Sequence, residues 1–206
     1  ALGYNALGTN TTGHSNISVG YQTLKDNTTG YQGVAIGHQA AENNTEGIAN
    51  VAIGYRALDV NTTGDSNTAI GYQALFANTT QDNTVAIGTY ALDANTTGAK
   101  NVAIGYMALS ANTTTSDCTA VGYGALKASE ASSNTGVGRE AGTALSNGDH
   151  NTCFGNQALY TCTSGSSNVA VGSLSLLDNT SGGNNVAIGM KSLENNTTGS
   201  SNTSVG

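Results

Sequence analysis

Few side chains in this sequence have the types and spacing that catalysis or metal binding requires. His14, His38 and His150 fall at different points of the repeat described below, so they do not predict a shared metal site. The acidic residues lack the regular glycine and aspartate spacing of calcium-binding repeats. No Ser, His and Asp set stands out as a catalytic triad. We therefore predict no enzyme activity, no cofactor and no metal for this chain.

The three cysteines, Cys118, Cys153 and Cys162, show no CxxC or zinc-type spacing, and their odd number excludes complete pairing within the chain. Cys153 and Cys162 could meet across one narrow coil as a disulfide. The alternative is that the cysteines are small buried residues. Both interpretations stay open from the sequence.

An asparagine recurs seven residues after a regularly spaced glycine. Stacked side-chain amides can bond to one another along a fibre, so this column predicts an asparagine ladder. The same asparagines, followed by two threonines, match the acceptor pattern for N-glycosylation, although sugars on neighbouring coils would crowd. The column contains Asn10, Asn27, Asn44, Asn61, Asn78, Asn95, Asn112, Asn179 and Asn196.

Threonines and tyrosines form two further columns. Adjacent threonines such as Thr62 and Thr63 point to opposite faces of an extended chain, which favours a single file of threonines. Ice binding by such Thr columns is our alternative function. The tyrosines directly follow the repeat glycine and predict a surface or interface column, either a platform for sugars or a ladder that seals the coil edge or the chain interface. They are Tyr4, Tyr21, Tyr55, Tyr72, Tyr106 and Tyr123.

These columns exist because the whole chain is repetitive. The repeat glycine falls at every seventeenth residue from Gly3 to Gly206, except for one step of sixteen between Gly122 and Gly138. The chain has 9% charged residues and no proline, which is unlike a disordered segment. Such strict spacing predicts an ordered repeat architecture.

Each repeat reads as a strand followed by a corner. Val51 and Ile53 lie on one face of an extended segment, with Asn50 and Ala52 on the other, and an Asn-Thr-Thr-Gly corner follows. This pattern predicts an all-β fold, a parallel β-solenoid or β-roll. About 12 coils of 17 residues, stacked about 4.8 Å apart, would form a rod about 57 Å long.

We interpret residues 1–206 as a single repeat domain, a slice of a longer fibre, with irregular coils over residues 123–155. The irregular coils are interpreted as a tolerated defect, with a binding site as the alternative.

The predicted structural core is the bulky apolar column directly before the glycine. The column two residues before the glycine is small, which indicates that something approaches it closely, and a leucine four residues after the glycine forms a second apolar wall. A narrow coil has one interior for two water-poor faces, so oligomerisation is predicted. The core column includes Ile36, Ile53, Ile70, Ile87, Ile104, Val121, Val171 and Ile188.

The recurrent NVAIG and NTAIG segments, at residues 101–105 and 67–71, resemble the head repeats of trimeric autotransporter adhesins. They are also similar to repeats of phage tail fibres and large surface fibre proteins. The resemblance covers essentially the whole chain and implies left-handed β-rolls packed as a homotrimer around a threefold axis. The 17-residue coil and the Asn-Thr-Thr-Gly corner depart from the adhesin pattern.

Composition restricts the partners. The net charge is -7 with six Lys plus Arg, so no basic stripe is available for nucleic acid. The sequence contains no run of about 18 apolar residues, so we predict no membrane insertion in this segment. We therefore interpret the chain as a structural segment of an extracellular, cell-surface or virion fibre, an adhesin head or shaft or a tail fibre, that gives stiffness and reach. Host-cell surface or glycan is the expected binding partner.

Overall fold

A computed structural model describes all 206 residues and confirms the predicted all-β solenoid. Twelve strands of three residues each pair in parallel, in chain order, within one sheet. No helix in the structure has the length and apolar character that crossing a membrane requires. The strands are β1 Ile17–Val19, β2 Val34–Ile36, β3 Val51–Ile53, β4 Thr68–Ile70, β5 Val85–Ile87, β6 Val102–Ile104, β7 Thr119–Val121, β8 Thr135–Val137, β9 Thr152–Phe154, β10 Val169–Val171, β11 Val186–Ile188 and β12 Thr203–Val205.

The strand register follows the repeat. Ala52 pairs with Ala69 in the next coil, exactly one repeat away in sequence. In the single short repeat, Thr119 pairs with Thr135, so the missing residue is absorbed outside the strands. Identical positions of successive coils therefore stack into columns along the whole rod.

The interior of each coil is small and is filled mainly by one leucine and two alanines. In the third coil Leu58, Ala57 and Ala52 are completely buried. An added Cβ on Gly136, which occupies the small column, would lie only 2.8 Å from Leu126 Cγ. The leucine therefore leaves room only for small residues on the inner face of the strand: alanine in most coils, with Ser18, Gly136, Cys153 and Ser204 in the others.

This packing corrects one prediction. The bulky column before the glycine is not the core of the chain, because the inner strand face carries the small residues and the interior is already occupied by leucine. Instead the bulky side chains point outward and are exposed or half-buried: Ile36, Ile53, Ile70, Ile87, Ile104, Val121, Val171 and Ile188. The close neighbour predicted for the small column is the leucine of the same interior.

The turn after each strand adopts backbone conformations that could not be predicted from the residue types. At Gly54 φ is +134°, and an added Cβ would lie 2.4 Å from the carbonyl oxygen of Gly71 in the next coil. Arg56 and Leu58 then have φ of 51° and 54°. Such conformations cost on the order of 1–3 kcal/mol for residues other than glycine. They persist here because Arg56 N–H bonds to the preceding coil and Leu58 N–H to the following one.

Candidate interaction surfaces and internal ladders

The predicted asparagine ladder is present inside the coil. Asn61 Nδ2 donates to Asn44 Oδ1 at 2.8 Å and to Gly64 O at 3.0 Å. Asn61 Oδ1 in turn accepts a bond from Asn78 Nδ2 at 2.9 Å. Each amide thus joins three coils and also closes its own corner.

The ladder is continuous from Asn10 to Asn95 and resumes between Asn179 and Asn196. Asn112 lies in the same column but bonds only within its own corner, to Thr115. The Oδ1 of Asn95 consequently has no hydrogen-bond partner.

Burial argues against glycosylation of this column. Asn61 and Asn78 have no exposed surface, and their amides are engaged in bonds on both sides. A sugar on either nitrogen would require the interior of the coil to open. Only Asn10 and Asn196, in the outermost coils, are partly exposed.

A second asparagine ladder, missed at the sequence level, uses the asparagine that precedes nine of the twelve strands; Gly33, Thr84 and Cys118 replace it before β2, β5 and β7. Asn50 Oδ1 accepts the backbone N–H of Asn67 at 2.9 Å. Asn67 Nδ2 donates to Gln81 O in the following coil at 2.7 Å. The sequence did contain a signal for this ladder, namely the asparagine that begins the NVAIG motif. It recurs as regularly as the asparagine of the first ladder.

The outward side chains of the strands form a continuous surface that we call the apolar strip. It consists of the first and third residues of all twelve strands, and none of them is charged. Ile36, Ile188 and Phe154 are 38%, 41% and 54% exposed. With strands about 4.8 Å apart, the strip runs over about 50 Å, which is unusual for a surface left in water.

The tyrosine column lies on the outside of the coil. From Tyr21 onward, each of its residues follows the last residue of a strand by two positions in sequence. Its rings stack on one another: Tyr4 and Tyr21 have centroids 5.3 Å apart and planes 13° apart, and Tyr55 and Tyr72 have values of 5.0 Å and 12°. His38 continues the stack between Tyr21 and Tyr55. The flat faces of the inner rings are therefore covered by neighbouring rings. This arrangement does not favour a stacking platform for sugars.

The threonine pairs of the corner divide into two files. The hydroxyl of Thr62 donates to the carbonyl of Thr79 in the next coil at 3.0 Å, and its equivalents do the same along the rod. Thr63, the second of the pair, is exposed. The corner therefore presents only one column of exposed threonines with free hydroxyl groups, that of Thr63.

The charged side chains form local pairs, some within one coil and one between neighbouring coils. Arg56 Nε lies 2.6 Å from the buried carboxylate of Asp59, and the Arg56 guanidinium stacks over Phe76 at 4.6 Å from its ring centroid. Burial raises the pKa of Asp59, and Arg56 offsets part of this rise. Lys25 and Glu42 form a second pair at 3.0 Å, which raises the pKa of Lys25.

Asp93 occupies the equivalent position of another coil without a cationic partner. Its Oδ1 is buried and has no hydrogen-bond partner, and burial raises the pKa of its carboxyl. The structure contains no group of three or more histidine, cysteine or acidic side chains arranged to hold a metal ion. The three histidines are accordingly not brought together.

All three cysteines are buried and free, so the buried-residue interpretation is correct and the disulfide is not formed. Cys153 takes an alanine position of the strand, and Cys162 takes an asparagine position of the first ladder, where it accepts a bond from Asn179. Burial raises the pKa of all three thiols, most strongly that of Cys153.

The irregular coils are packed by an exchange of positions. Gly142 stands where other coils have the interior leucine, and Leu145 stands where they have the ladder asparagine. Leu145 is completely buried, and a Cβ added to Gly142 would lie 2.9 Å from Leu145 Cδ1. Leu145 therefore fills the space that the absent leucine leaves, as expected for a tolerated defect.

Comparisons of the chain with protein-family models, with curated proteins and with solved structures found no match.

Proposed function

We propose that this chain is a structural segment of an extracellular, cell-surface or virion fibre, an adhesin head or shaft or a tail fibre, and that it acts by stiffness and reach without catalysis. The observation that supports this most is the unbroken stack of twelve strands. Each coil is bonded to both neighbours through its strand and through interior amides such as Asn61. An array bonded in this way resists bending because every interior group depends on the next coil.

Self-association through the apolar strip is the second part of the proposal. The strip carries no charge, and the core of protein interfaces is likewise depleted of charged residues. The interior of the coil cannot take these side chains, so another chain is the available cover. We propose a homotrimer of β-rolls, left-handed as the adhesin-like repeats imply, with the three strips facing a common axis.

The mass in solution tests the assembly. We expect light scattering to give three times the 20.6 kDa of one chain. Changing Ile70 and Ile104 together to aspartate should reduce the mass to that of a monomer while the β-type circular dichroism is kept. Aspartates at Thr63 and Thr97 are the matched control, because Glu46 already occupies the same corner column.

A wild-type monomer would overturn the trimer and leave a rod that works alone. Equal dissociation by both pairs of aspartates would show that the strip is not the interface. A trimer that survives aspartates at Ile70 and Ile104 would place the interface elsewhere on the coil.

Attachment to a host surface or glycan is tested separately with the isolated chain. The assay measures binding to host cells or to an immobilised glycan panel. Binding that is retained in the Thr63 and Thr97 variant and lost when the residues of another surface column are substituted would locate the contact on that column. No binding to any surface would remove the adhesive part of the proposal and leave the structural part.

A further inference from the structure

Three pairs of tyrosines hold their rings in parallel contact across neighbouring coils. The ring centroids of Tyr4 and Tyr21 are 5.3 Å apart, those of Tyr55 and Tyr72 are 5.0 Å apart, and those of Tyr106 and Tyr123 are 5.2 Å apart. The planes within each pair differ by no more than 16°. All six rings are at least 40% exposed, so a diffusing oxidant can reach them.

The other tyrosines lack such a partner. Tyr31 stacks on His14, and Tyr160 has no aromatic neighbour. Tyr90 meets Tyr72 edge-on at 75° with ring centroids 5.3 Å apart, so Tyr72 is within reach of both Tyr55 and Tyr90. His38 separates the first two parallel pairs. The chain therefore contains both paired and unpaired tyrosines.

We propose that the stacked pairs are sites of oxidative dityrosine formation, which joins successive coils covalently. Each phenol loses one electron and its hydroxyl proton to a one-electron oxidant, namely a haem peroxidase with hydrogen peroxide. The two phenoxyl radicals form one carbon–carbon bond between positions next to the hydroxyl-bearing carbons. The hydrogens on those carbons then return to the oxygens. The pair loses two electrons and two protons, and one peroxide is reduced to two waters.

Proximity selects the intrachain product. Two rings held about 5 Å apart by the backbone meet far more often than rings on separate molecules at micromolar concentration, because the effective concentration of tethered groups is in the millimolar range or above. The required approach is a sliding of exposed side chains, which occurs within nanoseconds. A bond at this position ties two coils through atoms outside the hydrogen-bonded stack, so a fibre would gain resistance to unzipping. The inference does not depend on the number of chains in the fibre.

The test treats the purified chain with peroxidase and peroxide, digests it and maps the products by mass spectrometry. We expect three cross-links, each lighter than the sum of its parts by two hydrogens, joining Tyr4 to Tyr21, Tyr72 to either Tyr55 or Tyr90, and Tyr106 to Tyr123, together with dityrosine fluorescence. Tyr106→Phe keeps the ring stack but removes a phenol, and it should abolish only the third link. Tyr160→Phe is the matched control and should leave all three unchanged.

A mixture of isotopically heavy and light chains, unfolded and refolded together, distinguishes links within a chain from links between chains. With equal amounts of the two chains, links within a chain give no mixed heavy–light products, and a mixed fraction near the one half that random pairing between chains gives would overturn the proposal. Links involving Tyr31 or Tyr160 at the same yield as the paired sites would also overturn it, since geometry would then not select. So would the absence of dityrosine under conditions in which free tyrosine couples.

Discussion

Replacing Asn61 by alanine tests whether the interior ladder holds the coils together. The side chain is completely buried, so water cannot take over its bonds. It donates to Asn44 Oδ1 at 2.8 Å and to Gly64 O at 3.0 Å, and it accepts from Asn78 Nδ2 at 2.9 Å. Asn61→Ala removes all three hydrogen bonds at once.

The size of the loss depends on what the former partners keep. The Gly64 carbonyl still receives Asn50 Nδ2 at 2.7 Å, and Asn78 Nδ2 still reaches Gln81 O at 3.2 Å. Asn44 Oδ1 keeps only a long contact of 3.5 Å to Asn50. Three bonds of about 1 kcal/mol each and one nearly unsatisfied oxygen of about 1 kcal/mol lower the free energy of unfolding by about 3–4 kcal/mol.

Asn112→Ala is the matched control within the same column. Asn112 makes only two bonds, both to Thr115: its Nδ2 donates at 3.4 Å, and its Oδ1 accepts the backbone N–H at 3.1 Å. It makes no bond to Asn95. We expect this variant to lose about 1–2 kcal/mol, clearly less than the Asn61 variant.

Urea unfolding followed by far-ultraviolet circular dichroism measures both losses, at one protein concentration because assembly would make stability depend on it. Amide hydrogen exchange adds the local view, since an array of coils can open in parts. Equal losses in the two variants, or a loss below about 1 kcal/mol for Asn61→Ala, would contradict the view that coil-to-coil amide bonds stabilise the rod.

Three further predictions follow from the described packing. Gly142→Leu should destabilise the chain by about 1–3 kcal/mol through overpacking against Leu126 and Leu145, whose side chains lie 2.7 Å and 2.9 Å from an added Cβ. Adding Leu145→Asn should recover the part of the loss that Leu145 causes, and urea unfolding of both variants would show whether the two positions are coupled. The raised pKa of Asp93 means that the folded chain binds the proton more tightly than the unfolded chain, so this carboxyl favours folding below its unfolded pKa and the contribution is lost as pH rises through the folded pKa. The gain in the free energy of unfolding from Asp93→Asn should therefore be largest at neutral pH and shrink on acidification. A gain that does not change with pH would show that the titration of Asp93 does not contribute to stability. Because only one threonine file is free, we expect no thermal hysteresis in cooled solutions; a hysteresis that Thr63→Tyr and Thr97→Tyr abolish would favour ice binding instead.

The architecture was predictable because a strict period of seventeen is too short for a helical hairpin repeat and suits one coil of a β-solenoid, and columns such as that of Asn61 then follow directly. The inward face was not predictable from alternation, which separates Ile53 from Ala52 without saying which one is inside. Volume decides the matter: once Leu58 occupies the narrow interior, only the small side of the strand can face it. Counting the leucine of each repeat as interior would have found the correct face.

Backbone conformation is a second feature that the sequence did not reveal. Leucine and arginine normally avoid positive φ, so nothing in the sequence indicates that Leu58 and Arg56 adopt it. The stack imposes these conformations because each N–H must reach a carbonyl of a neighbouring coil. Local preference is overruled here by the hydrogen bonds of the whole array, which single-residue propensities do not contain.

The two sides of the coil tolerate change differently, and this bears on assembly. Around the short repeat, the first asparagine ladder is interrupted on the corner side, where Ser129, Leu145 and Cys162 replace its members. On the strand side the register is kept, and the second ladder, in which Cys118 replaces one asparagine, resumes from Asn134 to Asn151. The apolar strip is thus continuous past the defect while the corner varies. The parallel pairing of strands within the chain itself requires this register, and the strip that results would offer the proposed interface an unbroken surface along the rod.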